Sequence, residues 1–167
     1  MIKMFLCLIL LSLASSCGRG FVKKKTPTTT TEQESQEVDT FHLNQDYLVL
    51  VNDHRIKLGL TPLTYHSYIE EVAKSHSFSM AIRSKPFGHL GFSSRCRRLK
   101  NRLGSINYCG EIVAMKQKDI RSVFQAWLDS PEHRQEIENP FSSHTGLGIA
   151  KDDKGNIYWT QMFVDLR

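Results

Sequence analysis

The chain has 167 residues, with 22 Lys and Arg against 17 Asp and Glu, a formal net charge of +5, and 40% of its residues are hydrophobic. That is the length of one domain rather than two, and the aromatic and branched content is too high for a wholly disordered chain. The charge excess is too modest to imply nucleic acid, and four cysteines are too few for a disulfide-dense miniature.

Residues 1–16 read as a signal peptide. Lys3 gives a small positive start, Phe5 to Leu13 is nearly all apolar, and the apolar run is too short to span a bilayer as a permanent helix. Leu13-Ala14-Ser15-Ser16-Cys17 resembles a bacterial lipobox, which predicts cleavage before Cys17 and acylation of that cysteine. The alternative is an ordinary cleaved signal with Cys17 free or paired. Residues 17–40 read as a lipidated cysteine followed by a tether. Lys23-Lys24-Lys25, a threonine run around Pro27 and Glu32 to Glu37 offer almost nothing to bury, so ordering entropy would not be recovered.

The folded domain is expected over residues 41–167. Leu43, Tyr47, Leu50, Val51, His54 and Leu58 recur at helical spacing, and Gly59 is a natural stop. A second helix is predicted from Tyr68 to Arg83, with Ile69, Val72, Ala73, His76 and Met80 on one face and Glu70 and Lys74 paired at i, i+4. A third is predicted from Asp119 to Asp129, with Val123, Phe124, Trp127 and Leu128 inward. Ser130-Pro131 then looks like the capped start of a short helix ending at Asn139-Pro140. The period then changes. Leu147 and Ile149, a polar turn over Asp152 to Asn156, and Ile157 to Val164 read as a hairpin, and Cys109 to Met115 as a further strand. Helices before strands point to α+β layers.

His76, on an apolar helix face, reads as a packed core histidine. His89 lies in the glycine-flanked loop Pro86 to Gly91, where backbone can approach another group closely. Glu111 enters an apolar strand and therefore needs a partner or a perturbed pKa. His133 and His144 flank the Asn139-Pro140 turn. These histidines and the carboxylate are candidates for a divalent metal such as zinc, or for acid–base chemistry. Ser142, Ser143 and Thr145 adjoin His144, but adjacency is not triad geometry. Arg95, Arg97, Arg98, Lys100 and Arg102 form a basic run that reads either as a solvated loop or as a site for anionic lipid, polysaccharide or an acidic protein. With Cys7 in the signal and Cys17 lipidated, Cys96 and Cys109 remain, and an exported chain favours a disulfide between them over two buried free thiols.

Taken together, the chain resembles the CAP superfamily of cysteine-rich secretory, antigen 5 and pathogenesis-related proteins, in its bacterial form. The resemblance is carried by Val51 to Arg55, by Gly59 to Leu63, and by Ala73 to Ala81. Cys109-Gly110-Glu111 has Ile112 where asparagine is usual, and Ala126-Trp127 with Ser130 to Arg134 has Glu132 where glycine is usual. Asn139-Pro140-Phe141, Gly146 to Ala150 and Tyr158 to Phe163 complete it. It implies a three-layer α-β-α sandwich and a cleft of two histidines and two acids that binds a divalent metal in some members. His89 matches the first histidine and Glu111 the first acid. The second acid's position is Ser130, with Asp129 and Glu132 beside it, and His144 stands in the neighbourhood of the second histidine. The function implied is a lipid-anchored, extracytoplasmic binding or interaction module of the bacterial cell envelope. A metal-assisted hydrolase of peptide or envelope polymer and a lipid- or sterol-binding protein are the alternatives.

Overall fold

The structure, a computed structural model, describes residues 30–166, with side chains from residue 42 onward. The signal peptide, Cys17 and the first part of the tether lie outside the described residues. In chain order the elements are α1 (Thr30–Lys57), β1 (Thr64–Tyr65), α2 (Ser67–Ala81), α3 (Phe92–Leu103), β2 (Tyr108–Met115), α4 (Ile120–Asp129), α5 (Pro131–Ile137), β3 (His144–Lys151) and β4 (Ile157–Asp165). No described helix is long and apolar enough to cross a membrane.

The sheet order is β1-β3-β4-β2. β1 runs parallel to β3, whereas β3/β4 and β4/β2 are antiparallel. The expected terminal hairpin is present, and Asp152 closes its turn by accepting from the backbone N–H of Lys154 and Asn156. Register sorts the two faces. Glu111, Met162 and Gly146 stand in one row, with Val113, Thr160 and Gly148 in a parallel row on the same face. Ile112, Gln161 and Leu147 point the other way.

α2 lies directly on the glycine-bearing face. A Cβ at Gly146 would meet the Glu70 backbone nitrogen at 2.2 Å, and one at Gly148 would meet that of Lys74 at 2.1 Å. Ser77 seals this contact from within the helix. Its hydroxyl donates to the Gly148 carbonyl at 3.0 Å and shares a hydrogen bond with the Thr160 hydroxyl at 2.8 Å. The opposite face carries the larger core. Tyr47 and Val51 of α1, Val123 and Trp127 of α4 and Ile137 of α5 pack on Ile112, Leu147, Trp159 and Phe163. Helices on both faces of one sheet make the α+β, three-layer sandwich that the resemblance implies. Arg55, fully buried at the end of α1, donates to the carbonyls of Thr61, Ile137, Asn139 and Ser142 and so joins α1 to the end of α5.

Several expectations are corrected. α1 begins at Thr30, inside the segment read as tether, because extending an existing helix through Glu- and Gln-rich sequence needs no new nucleus. The basic run is not a loop but the helix α3. Phe92, Arg95, Cys96, Leu99 and Leu103 recur at helical spacing, and Leu99 is wholly buried. Gly91 and Gly104, both at positive φ, bound the helix. Ser130 occupies the N-cap position of α5, yet its side chain makes no cap bond and donates instead to Glu132 at 3.2 Å. Asp119 does cap α4, in a reciprocal bond with Ser122. Glu70 bonds the Tyr65 hydroxyl, which burial and that carboxylate push upward in pKa. The Cys96–Cys109 disulfide is formed and ties α3 to β2, with Cα atoms 6.1 Å apart.

Replacing Gly148 by Ala should lower stability by about 3 kcal/mol or prevent folding, because the new methyl meets backbone rather than a movable side chain. Urea unfolding measures it. A midpoint equal to the wild type's would mean that α2 lifts from the sheet at little cost.

Candidate functional site

The site is built around Glu111, which β2 carries onto the α2 side of the sheet with its side chain only 1% exposed. An ionised carboxylate there needs compensation, and Arg95 of α3 supplies it in forked geometry. Arg95 Nε donates to Oε2 at 2.5 Å and Nη2 to Oε1 at 2.6 Å. The same guanidinium also holds the loop before α3, since Nη1 donates to the Leu90 carbonyl at 3.0 Å and Nη2 to that of His89 at 3.4 Å. The disulfide explains why Arg95 reaches Glu111. Cys96 is its neighbour and Cys109 lies two residues before Glu111, so the bridge draws both partners together.

His89 completes the cluster from above. Its Nδ1 donates to Glu111 Oε1 at 3.0 Å, while its side chain is half exposed. Because the carboxylate accepts at Nδ1, a neutral His89 ring keeps its other nitrogen as an acceptor. Arg95 already balances the charge of Glu111, so what the carboxylate gives His89 is an orientation of its ring. His76 lies beneath. It is buried, its Nε2 donates to the Gly88 carbonyl at 2.8 Å and stands 3.9 Å from Glu111 Oε1, and its Nδ1 has no partner. Burial first, then the Arg95 charge, hold its pKa below the ordinary 6.5.

Of the residues expected at a common cleft, His89 and Glu111 meet. His133 is near enough to His89 that burial and the His89 charge both lower its pKa. His144 goes elsewhere. Its Nδ1 shares a hydrogen bond with the Ser143 hydroxyl at 2.9 Å, and its ring lies 6.3 Å from that of His66 at the β1/β3 edge. β3 starts there, two strands away from β2, and burial with the His66 charge lowers the pKa of His144. Among the described residues no group of three or more His, Cys, Asp or Glu is placed to hold a metal ion. The residues present do not fit one at Glu111 either, since a guanidinium occupies both carboxylate oxygens.

The basic run divides by the geometry of α3. Arg95 is buried and neutralised, so it is withdrawn from any anion site. Arg98 pairs with Glu71 at 2.5 Å and bonds the Tyr68 hydroxyl at 3.2 Å. Arg102 lies over the Tyr68 ring, 5.9 Å from its centre. Arg97 and Lys100 are exposed. The sequence reading set Arg95 in a candidate anion-binding run and missed it as the partner of Glu111, and it did not set His76 at the cleft. The signal for Arg95 was its position beside a cysteine whose partner adjoins Glu111, and His76 was correctly placed in the core but faces the cleft from below.

Removing one partner of the buried pair should be far costlier than removing both. Arg95→Met is expected to lose about 3–5 kcal/mol, and Arg95→Met with Glu111→Leu to recover much of that loss. Urea unfolding of the single and double variants decides, and equal losses would show that the pair is not the stabilising unit. A second expectation concerns pH. The folded pKa values of His76, His133 and His144 lie below 6.5, so the unfolded chain takes up protons first. Their contribution to stability is complete above pH about 6.5 and is lost as pH falls below it. Tm should drop between pH 7 and 5, and His76→Gln should make the drop shallower.

Residues 48–163 match the family described as "CAP: Cysteine-rich secretory protein family". The chain is 32% identical over 143 residues to "Uncharacterized protein YkwD" of Bacillus subtilis, an alignment that covers 84% of this chain and 52% of that one. The chain thus spans about half the length of that relative. Among solved structures, an extracellular protein containing a SCP domain from Bacillus anthracis superposes with a TM-score of 0.64 at 25% identity, covering 74% of this chain and 40% of that one. An outer surface protein of Borrelia burgdorferi superposes with a TM-score of 0.64 at 22% identity, covering 72% and 90% respectively, and shares the fold. With the sandwich, the disulfide and these matches in agreement, the chain belongs to the CAP family.

Proposed function

We propose that this CAP-domain protein is an extracytoplasmic, lipid-anchored binding module of the bacterial cell envelope. The observation that carries the binding reading is the state of Glu111. Both oxygens are taken by Arg95 and one is shared with His89, so the carboxylate is committed to structure. A metal-assisted or carboxylate-catalysed hydrolysis needs that group free for a metal or for a proton. What lies open to a ligand is the exposed His89 between Phe87 and Leu90, on a loop whose three successive carbonyls, Gly88 to Leu90, are held from below. A rigid exposed loop suits recognition.

The anchor rests on the lipobox-like run ending at Cys17. An exported location is supported by the disulfide, which forms in oxidising compartments. It is also supported by relatives described as an extracellular protein and an outer surface protein.

In cells grown with a radiolabelled fatty acid, the wild type should carry label and partition into detergent, and Cys17→Ala should lose both properties. Retention in the detergent phase by that variant would exclude the lipid anchor. In parallel, purified protein with and without added zinc should leave peptide and peptidoglycan substrates intact. Turnover that disappears in His89→Ala, a change at an exposed side chain, would instead establish a hydrolase.

A further inference from the structure

Between Glu71 and Glu111 the chain contains no Asp or Glu but eight Lys and Arg. The rest of the chain carries 14 Lys and Arg against 17 Asp and Glu, so the whole positive excess sits in this one stretch. The fold gathers it into one layer, since residues 72–110 comprise most of α2, the loop that follows, α3 and the start of β2. α2 and α3 are held side by side by Arg98, which reaches Glu71 and Tyr68. Of these eight cations, Arg95 and Arg98 are consumed by close ion pairs among the described residues. Arg83 stands 3.7 Å from Asp153, both groups largely exposed, an arrangement that contributes little.

The same layer carries exposed apolar side chains. Phe78 of α2 and Ile82, the residue that caps its C-terminus, are each 55% exposed, whereas Val72, Ala73, His76 and Met80 form the helix's buried face. Phe87 at 50% and Leu90 at 61% bracket His89 on the loop. That loop is not left to fold its apolar side chains back. The buried His76 holds the Gly88 carbonyl, and the buried Arg95 holds those of His89 and Leu90. Two buried polar groups thus keep a pair of apolar side chains fixed in water, at the N-terminus of a helix that has four further cations and no acid.

Cations alone would suit any acidic macromolecule, and apolar side chains alone would suit any apolar groove. Their combination on one layer matches the interface of an anionic bilayer, where apolar side chains enter the headgroup boundary and Lys and Arg meet the phosphates. An acidic polymer would leave Phe78, Ile82, Phe87 and Leu90 in water. We propose that the α2–α3 layer is a docking face for membranes containing anionic phospholipid. Phe87, Leu90, Phe78 and Ile82 insert, and Lys85, Arg97, Lys100 and Arg102 bind headgroup phosphates. The domain then lies on the bilayer with the His89 cleft turned toward the headgroups. The inference builds on the envelope reading but does not need the acyl chains of Cys17.

The test uses the chain from residue 17 with Cys17→Ala, so that neither the apolar leader nor acyl chains contribute. Co-sedimentation is measured with vesicles of phosphatidylcholine alone and of phosphatidylcholine mixed with phosphatidylglycerol. Binding is expected to the mixed vesicles only and should weaken as salt rises. Arg97→Gln, Lys100→Gln and Arg102→Gln together should weaken it on the order of 100-fold, at roughly fivefold per cation. Phe87→Ser with Leu90→Ser should weaken it at least about tenfold. Both variants change exposed side chains, and unchanged circular dichroism with no alkylatable thiol confirms that each is folded. Absence of binding to mixed vesicles overturns the proposal, and so does equal binding to both vesicle types. Loss with the charge variant but none with Phe87→Ser and Leu90→Ser also overturns it and assigns the face to an acidic macromolecule. Detergent partitioning of Cys17→Ala, which leaves α3 untouched, reports separately on the anchor.

Discussion

The forked pair of Arg95 and Glu111 is the contact on which the cleft side of the domain depends. A carboxylate on the inward face of a sheet is unstable in isolation, and a guanidinium under a helix is equally so. Together they satisfy each other, and the donors left over on Arg95 reach the Leu90 and His89 carbonyls. One ion pair therefore places three things at once: α3 against β2, the loop over the cleft, and the imidazole of His89. It also fixes what the cleft is not suited to do. A carboxylate with both oxygens held by one guanidinium has neither left open for a metal ion.

The two faces of the sheet are packed by different means. On one, Gly146 and Gly148 let the backbone of α2 come into direct contact, and a polar bridge through Ser77 and Thr160 sits between two small apolar clusters. On the other, large aromatic groups fill the space. Tyr47 meets Trp127 and Phe124 edge-on, with centroids 5.9 and 6.1 Å apart, and its hydroxyl bonds Gln161. The close contact is made at β3, and the other face carries the largest apolar cluster.

Much of this could be read in the chain itself. The periodicities of α2 and α4, the terminal hairpin, β2, the disulfide and the layer order all follow from local pattern and from recognisable motifs. So does the meeting of His89 and Glu111. What escaped has a common physical cause, namely polar residues used inside the fold. The five cations of α3 masked the apolar stripe of Phe92, Leu99 and Leu103, so a helix read as a loop. Arg55 and Arg95 are buried by virtue of carbonyls and a carboxylate far away in sequence, and composition carries no trace of that. His144 was placed by chain order near the cleft. Strand order separates it, because β4 is inserted between β3 and β2. The start of α1 was missed because Glu- and Gln-rich sequence with no apolar period still extends a helix already nucleated by packing.

The bridge between Cys96 and Cys109 gives this architecture a dependence on where the chain finds itself. It joins the helix that bears the guanidinium to the strand that bears the carboxylate, one and two residues from the groups concerned. Such a bridge forms where thiols are oxidised and not where glutathione or thioredoxin keeps them reduced. A chain retained in a reducing compartment must bring Arg95 to a buried Glu111 without the tie, against the full freedom of the arm that carries α3. The surrounding chemistry thus acts as a last assembly factor. The loop bearing Phe87, His89 and Leu90 takes its fixed shape most readily where those two thiols are oxidised.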